Sequence, residues 1–304
     1  VISDWEGIKQ IEEPTYEEQI ITAVNAGIDM LMEPYDWFDV IEILKNAVND
    51  GSITDERIDD AVSRILRVKF EIGLFENPLG NKGFITHEFG STEHREVARE
   101  AVRKSLVLLK NENNLLPLPK NCNIYLSGSS AENIGNQCGG WTLTWQGITG
   151  DSIKGTNIKE GIEQAVAGQG QIVNDINQAD ICIVVVGERP YAEIYGDDSE
   201  LRLSSSDIEA IDTAVSSGKP TLLILISGRP MIITDQLDNV DALAAAWLPG
   251  TEGQGIADVL FGDYDFTGKL SFTWPRSIDQ VPINVDDMEG KDPLFSFGFG
   301  LETN

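Results

Sequence analysis

Two carboxylates stand directly after apolar runs that read as buried strands. Asp4 follows VIS and precedes Trp5; Glu188 follows ICIVVVG and opens the polar stretch ERPYAEIYGDD, with Tyr191 three residues on. In open α/β sheets ligands sit beyond the C-terminal ends of the strands. An aromatic ring beside an acid there offers a face on which the apolar C–H face of a sugar can stack. Two carboxyl groups are also what glycoside hydrolysis uses, one as acid and then base, the other as nucleophile where configuration is retained. In a chain with 50 acidic residues, an acid so placed is, taken alone, more often a solvated loop residue.

Other chemistries find less support. A third strand end, IYLSGSSAENIGNQCGGW, is a long polar loop ending in Trp141. Its glycines match neither G-x-G-x-x-G nor the P-loop pattern, so residues 128–140 read as a mobile loop with turn glycines rather than a phosphate cradle. His87 and His94 are the only histidines. One falls in linker-like sequence and the other at a helix start, both read as solvated, which leaves a serine or cysteine nucleophile without a base. Cys122, Cys138 and Cys182 match no zinc spacing, and Cys182, inside ICIVVV, reads as a core thiol. No metal site and no cofactor is expected. The formal charge of −28 argues against a nucleic-acid partner, which needs a basic stripe. It suits a neutral or cationic ligand, or simply solubility. No run is long and apolar enough to suggest a membrane partner.

The elements that must position these residues divide in two. Residues 1–76 read as β-α-β-α-α: VIS as a strand end, EEQIITAVNAG as a helix, IDMLMEP as a short buried strand, then FDVIEILKNAVNDG and ITDERIDDAVSRILRVKFEIG as helices, the last with a Thr54-Asp55 N-cap signal and apolar residues at 58, 62, 65, 66 and 68. Two strands cannot close a barrel, which takes about 250 residues in the (β/α)8 form, so this segment is expected to be the tail of a larger domain. Residues 77–93 read as a linker. A long helix is expected over HREVAREAVRKSLVLLKN. From about 120 onward six strands are expected, NIYLSG, QIVND, ICIVVVG, TLLILIS, ALAAAWLPG and KLSFTWP, alternating with helices over 157–166, 204–215 and 252–262. Continuous apolar runs among the first five suit a mostly parallel sheet covered on both faces.

Taken together in order, these segments resemble glycoside hydrolase family 3, within it the exo-β-glucanase/β-glucosidase group. VISDW resembles the nucleophile motif at the end of a barrel strand, AGIDMLMEP the next strand, RIDDAVSRILRVKFEIGLFENP the final barrel helix and exit, and HREVAREAVRKSLVLLKNENNLLPLP the start of the second domain. QCGGWTLTWQG, VVGERPYAEIYGDD, LISGRPM, AAWLPGTEGQGIADVLFGDYDFTGKLSFTWP and FGFGL resemble further blocks of that domain. The resemblance covers essentially the whole chain. It implies the C-terminal portion of a (β/α)8 barrel (1–76), a linker (77–93) and a mostly parallel six-stranded α/β sandwich domain (94–304).

It further implies Asp4 as nucleophile, Glu188 as acid/base with Glu193 as its competitor, and Trp5 and Trp141 as the pair clamping the leaving-group sugar; Trp145 is read as a packing residue. The implied activity is that of a retaining exo-acting β-glucosidase or β-glucan glucohydrolase. Its partners would be β-linked gluco-oligosaccharides or aryl and alkyl β-glucosides, with an upstream barrel segment or chain completing the site. Extracellular or periplasmic location is implied by the same likeness. Where plant members carry an arginine after the nucleophile, this chain has Lys9 and Gln10, a departure that bears on aglycone preference. The alternatives are a β-xylosidase or N-acetylglucosaminidase of the same family, the second disfavoured by the full Glu188 motif, and a non-catalytic sugar-binding derivative.

Overall fold

The computed structural model describes residues 1–80, 88–285 and 290–303; His87 lies outside the described residues. The chain forms two compact units, Val1–Phe89 and Gly90–Asn304.

In the first unit three helices, α1 (Tyr16–Asn25), α2 (Trp37–Asn49) and α3 (Asp55–Glu71), follow the apolar periodicity of the sequence. Thr15 and Thr54 accept bonds from the backbone N–H of Glu18 and Arg57 and so start α1 and α3 as N-caps. Ile8, Ile20, Val24, Val40, Ala47 and Ile53 form the core. Arg57 ties α3 back to α1: its guanidinium donates to the carbonyls of Val24 (2.7 Å) and Ile28 (2.9 Å) and to Asp29 (2.9 Å). That places a cation on the C-terminal carbonyls of α1, where the helix dipole favours it.

The expected buried strand IDMLMEP is corrected here. It makes a single parallel bridge, Ile2 with Met30, flanked by bonds from Ser3 N–H to Met30 O (3.0 Å) and Glu6 N–H to Met32 O (2.9 Å). Within this unit the two short runs pair only with each other among the described residues, and Met30 keeps 49% of its surface exposed. Val62, Leu66, Val68 and Phe70 of α3 are likewise exposed.

The second unit is a six-stranded sheet with helices on both faces. Its strands are β1 (Val107–Asn111), β2 (Asn123–Ser127), β3 (Gln171–Val173), β4 (Ile181–Gly187), β5 (Thr221–Ile226) and β6 (Ala242–Trp247), in the order β1-β6-β5-β4-β2-β3. All neighbours are parallel except β1 with β6. The central strand β4 shows why its sequence is apolar without alternation. Ile181, Ile183 and Val185 face one core, with Val102 of α4 (Thr92–Ser105), Ile158 and Ile162 of a second helix (Ile158–Val166) and Ile256 of a third (Gly253–Leu260). Cys182, Val184 and Val186 face the other, with Ile211 and Ala214 of the helix Ser205–Ser216, and with Trp274. Both faces are dry, so both parities must be apolar. The core position expected for Cys182 is observed.

Two expectations fail, and together they leave the strand number unchanged. The helix predicted through HREVAREAVRKSLVLLKN stops at Ser105, and VLLKN is the antiparallel edge strand β1. Ser105 Oγ bonds back to Val102 O (3.0 Å), and Leu106 is already extended at φ −62°, ψ 133°. Beyond it Val107 and Leu109 enter one core and Leu108 the other, a strand's alternation with both faces covered. KLSFTWP, in contrast, joins no ladder of the sheet. Leu270 and Trp274 are buried but Phe272 between them is exposed, which breaks the period of two a strand needs. Trp274 is held by its indole N–H, which donates to Met231 O at 2.7 Å, and by its rings against Trp247 and Phe295.

At the C-terminal end of β4 the backbone of Gly187 lies so close to β5 that a Cβ would fall 1.8 Å from Ile226 O, and its φ is 150°. Gly187→Ala is therefore expected to cost about 3 kcal/mol or more, the upper range of overpacking in a rigid interior. Gly168→Ala, at φ 77° with nothing near its Cβ position, should cost only about 1–2 kcal/mol of left-handed strain. Denaturant unfolding of the two variants checks the contrast; equal losses would show that the β4–β5 approach yields.

Candidate active site

Glu188 continues the β4–β5 ladder by one bond, its N–H donating to Ile226 O at 2.9 Å, and then turns its side chain out of the sheet. Its carboxylate retains only 10% side-chain exposure. Removing an ionised carboxylate from water costs several kcal/mol unless a countercharge and hydrogen bonds replace the solvent. Arg229, in the turn after β5, supplies both: Nε and a terminal nitrogen donate to Oε1 at 2.9 and 2.7 Å. The hydroxyl of Tyr191 donates to Oε2 at 3.1 Å. Arg229 also lies over the Tyr191 ring, 4.6 Å from its centroid, a cation–π contact that closes the triangle. Burial, and then the negative charge of Glu188, push the Tyr191 phenol up to about 12, so it remains a donor at neutral pH.

Arg229 is the residue that reading the sequence missed. It lies in LISGRPM, 41 positions from Glu188, and only the parallel pairing of β4 with β5 brings their ends side by side. The available signal was physical: an acid at the mouth of a doubly covered strand needs a cation, and the adjacent strand's exit loop carries one.

A cavity of about 280 Å³ opens beside this triangle, with Trp141, Glu188, Arg189, Tyr191, Asn136 and Leu248 in its wall. The polar loop after β2 forms part of it, and 128–140, expected to be loop throughout, contains a helix. Residues Ile134–Cys138 form a short helix with Ile134 to Gln137 buried. Asn133 Oδ1 accepts from the N–H groups of Asn136 (3.0 Å) and Gly150 (2.7 Å). Gln137 donates to Gly250 O (3.0 Å) and accepts from Ile158 N–H (3.0 Å). These amides satisfy backbone groups that would otherwise be buried unpaired, and so fix the loop.

Trp141 leaves this loop at φ 59° with 70% of its surface exposed. Trp145, expected as the packing residue, is not in the core: it is 42% exposed, with its ring 6.4 Å from Trp141 and 5.4 Å from Tyr195. Glu193 is exposed at φ 53° in the turn Glu193–Gly196. His94 sits exposed in the first turn of α4, as expected. Cys122, Cys138 and Cys182 are free thiols, all pushed up by burial, which keeps them protonated and poor nucleophiles.

In the first unit Asp4 is exposed just beyond the Ile2–Met30 bridge, and Trp5 N–H donates to its Oδ1 at 2.8 Å. Asp4 O accepts from Gly7 N–H (3.1 Å), which tightens the turn beneath the side chain. Trp5 is exposed and meets Tyr35 edge-on at 5.9 Å. Lys9 is clamped between Glu6 and Asp36, 2.6 Å from each, and these partners raise its pKa, so its ammonium is committed to them. Carboxylate oxygens of Glu6, Glu33 and Asp36 lie within 4.8 Å of one another, the one acid group among the described residues compact enough to hold a metal ion. Lys9 already supplies a cation to two of the three.

The chain matches two family models, the glycosyl hydrolase family 3 N terminal domain over residues 1–68 and the glycosyl hydrolase family 3 C-terminal domain over residues 106–303. It is 33% identical to the lysosomal beta glucosidase of Dictyostelium discoideum over 99% of this chain and 41% of that protein. It is 31% identical to the periplasmic beta-glucosidase of Salmonella typhimurium over 94% of this chain and 45% of that one. Among solved structures, the exo-1,3/1,4-beta-glucanase of a Pseudoalteromonas species superposes with a TM-score of 0.91 at 38% identity, covering 100% of this chain and 40% of that one. The chain thus spans less than half the length of each of these three proteins. With one family model matching the first unit and another matching nearly all of the second, the chain belongs to glycosyl hydrolase family 3.

Proposed function

We propose that this chain carries the two catalytic carboxylates of a retaining, exo-acting β-glucosidase or β-glucan glucohydrolase. The observation that carries the reading is the carboxylate of Glu188, held by Arg229 and Tyr191 beside a cavity whose wall includes Trp141. The identities to a lysosomal and a periplasmic beta-glucosidase, and the likeness to an exo-glucanase structure, support it. The exposed apolar side chains of α3, with Ile2 and Met30, would be covered in the complete protein by the remaining strands and helices of a (β/α)8 barrel.

In this reading Asp4 attacks the anomeric carbon and forms a glycosyl ester, while Glu188 gives a proton to the departing glycosidic oxygen. Water then attacks the same carbon, Glu188 takes its proton, and Asp4 leaves. Glu188 thus alternates between acid and base. As described, with three donors on its two oxygens, it has the geometry of the carboxylate that serves the second step. The acid role requires a proton on Oε2, the oxygen away from Arg229, where only the Tyr191 hydroxyl competes among the described residues. Trp5 and Trp141 would stack on the leaving-group ring.

Three outcomes are expected in the complete polypeptide. Asp4→Asn should lower kcat on an aryl β-glucoside by at least about 10³-fold, the scale of removing a group that acts in the transition state; retention of most of the rate would remove Asp4 from the mechanism. Glu188→Ala should hydrolyse an activated aryl glucoside with slow release of the glycosyl-enzyme, and azide should restore turnover as a β-glycosyl azide. Without that rescue the acid/base role passes to Glu193 or another group. Arg229→Met should lower kcat by about 10²-fold through loss of a charge-assisted bond at a buried carboxylate, with Arg229→Lys intermediate and KM for the aryl glucoside little changed. A KM effect alone would make Arg229 a substrate ligand instead.

A further inference from the structure

The surface beyond Trp141 carries more aromatic area than a single leaving-group ring can use. We propose that Trp145 and Tyr195 form a further subsite that takes the distal rings of neutral β-linked gluco-oligosaccharides, extending the contact offered by Trp141. This inference rests on the reading of Trp141 as a sugar contact.

The first support is exposure. Trp141 and Tyr195 are each 70% exposed and Trp145 42%, and Leu143 and Ile194 beside them are exposed too. Single exposed apolar residues are ordinary, whereas a contiguous patch marks a binding surface. The rings follow one another, Trp141 to Trp145 at 6.4 Å and Trp145 to Tyr195 at 5.4 Å, the second pair edge to face at 88°. Successive aromatic rings offer stacking surface to successive pyranose rings of one chain.

The second support is rigidity. The side-chain amide of Gln146 donates to Ala192 O (3.1 Å) and accepts from Ala192 N–H (3.0 Å), clipping the tryptophan loop to the loop that carries Glu188 and Tyr195. Gly140 backs onto Tyr191 O, 2.0 Å from where a Cβ would stand. Trp141, Leu143 and Glu193 are held at φ 59°, 63° and 53°. Non-glycine residues keep such φ values only where the surroundings over-determine them. The backbone that carries the aromatic side chains is therefore braced, which lowers the ordering cost of binding.

The third support is charge. Glu193, Asp197, Asp198 and Glu200 surround Tyr195 in the chain and are all exposed. Their hydrogen-bond acceptors suit sugar hydroxyls, and their charge, on a chain of net −28, repels uronic or sulfated glycans.

The test is the dependence of hydrolysis on chain length in the complete polypeptide, with cello-oligosaccharides of two to five rings. In the unaltered protein kcat/KM should rise from the disaccharide to the tetrasaccharide. In Tyr195→Ala the tetraose-to-biose ratio should fall about fivefold, the worth of one aromatic contact, with the change carried by KM. An unchanged ratio overturns the proposal, as does one altered through kcat alone. Trp145→Phe keeps a ring against the Gln146 loop and should lower the ratio less. If no oligosaccharide is hydrolysed, the activity reading fails on its own, and the subsite is judged by tryptophan fluorescence titration with cellohexaose. Binding weakened about fivefold by Tyr195→Ala supports it; equal binding, or none by either protein, overturns it.

Discussion

A carboxylate with a tenth of its side-chain surface left to water survives in the fold only because a guanidinium faces it. The Glu188–Arg229 pair bridges the ends of two adjacent parallel strands, so its geometry is a direct product of the β4–β5 register. Everything nearby refers to it. Tyr191 stacks on the arginine and bonds to the acid, Gly196 lies flat against the Tyr191 ring, and Gln146 holds the next residue of that loop. Removing Arg229 leaves the largely buried Glu188 without its countercharge, which costs far more than the pair itself contributes.

Asp4 is treated differently. Its local partner is a backbone N–H, from Trp5, and the cation nearest in sequence, Lys9, is drawn away by Glu6 and Asp36. The nucleophile role proposed for Asp4 would gain from this: a carboxylate bonded by one amide and, among the described residues, free of a salt bridge keeps an oxygen available for attack. The contrast between the two acids, one locked to a cation and one left open, would suit the two different tasks proposed for them.

Much of this is legible in the chain, for reasons that can be named. The helix after Thr54 announces itself by its cap, and the unbroken apolar run ICIVVVG reads as a strand covered on both faces. The misreadings also have causes. VLLKN reads as helix because the charged, amphipathic residues before it set a helical period, and nothing in a local window reports the turn at Leu106. KLSFTWP alternates like a strand, yet Trp274 is fixed by a carbonyl 43 residues away. Arg229 is invisible as a partner because ion pairing across strands depends on register, which periodicity does not encode. Trp145 reads as the packing residue of the two tryptophans, but its ring meets only other exposed rings, Trp141 and Tyr195, among the ring contacts of the described residues.

The loops around Glu188 are braced where their backbones touch, at Gly140 against Tyr191 and Gly187 against Ile226, with no side chain between them. Such contacts tie the frame to a few positions that tolerate only hydrogen. The side chains of Trp141, Arg189 and Tyr195 nearby take no part in these backbone contacts. If the proposed function holds, a change of side chain at the cavity wall would alter what the ligand meets without moving Glu188, because the joints that hold its loop are backbone contacts.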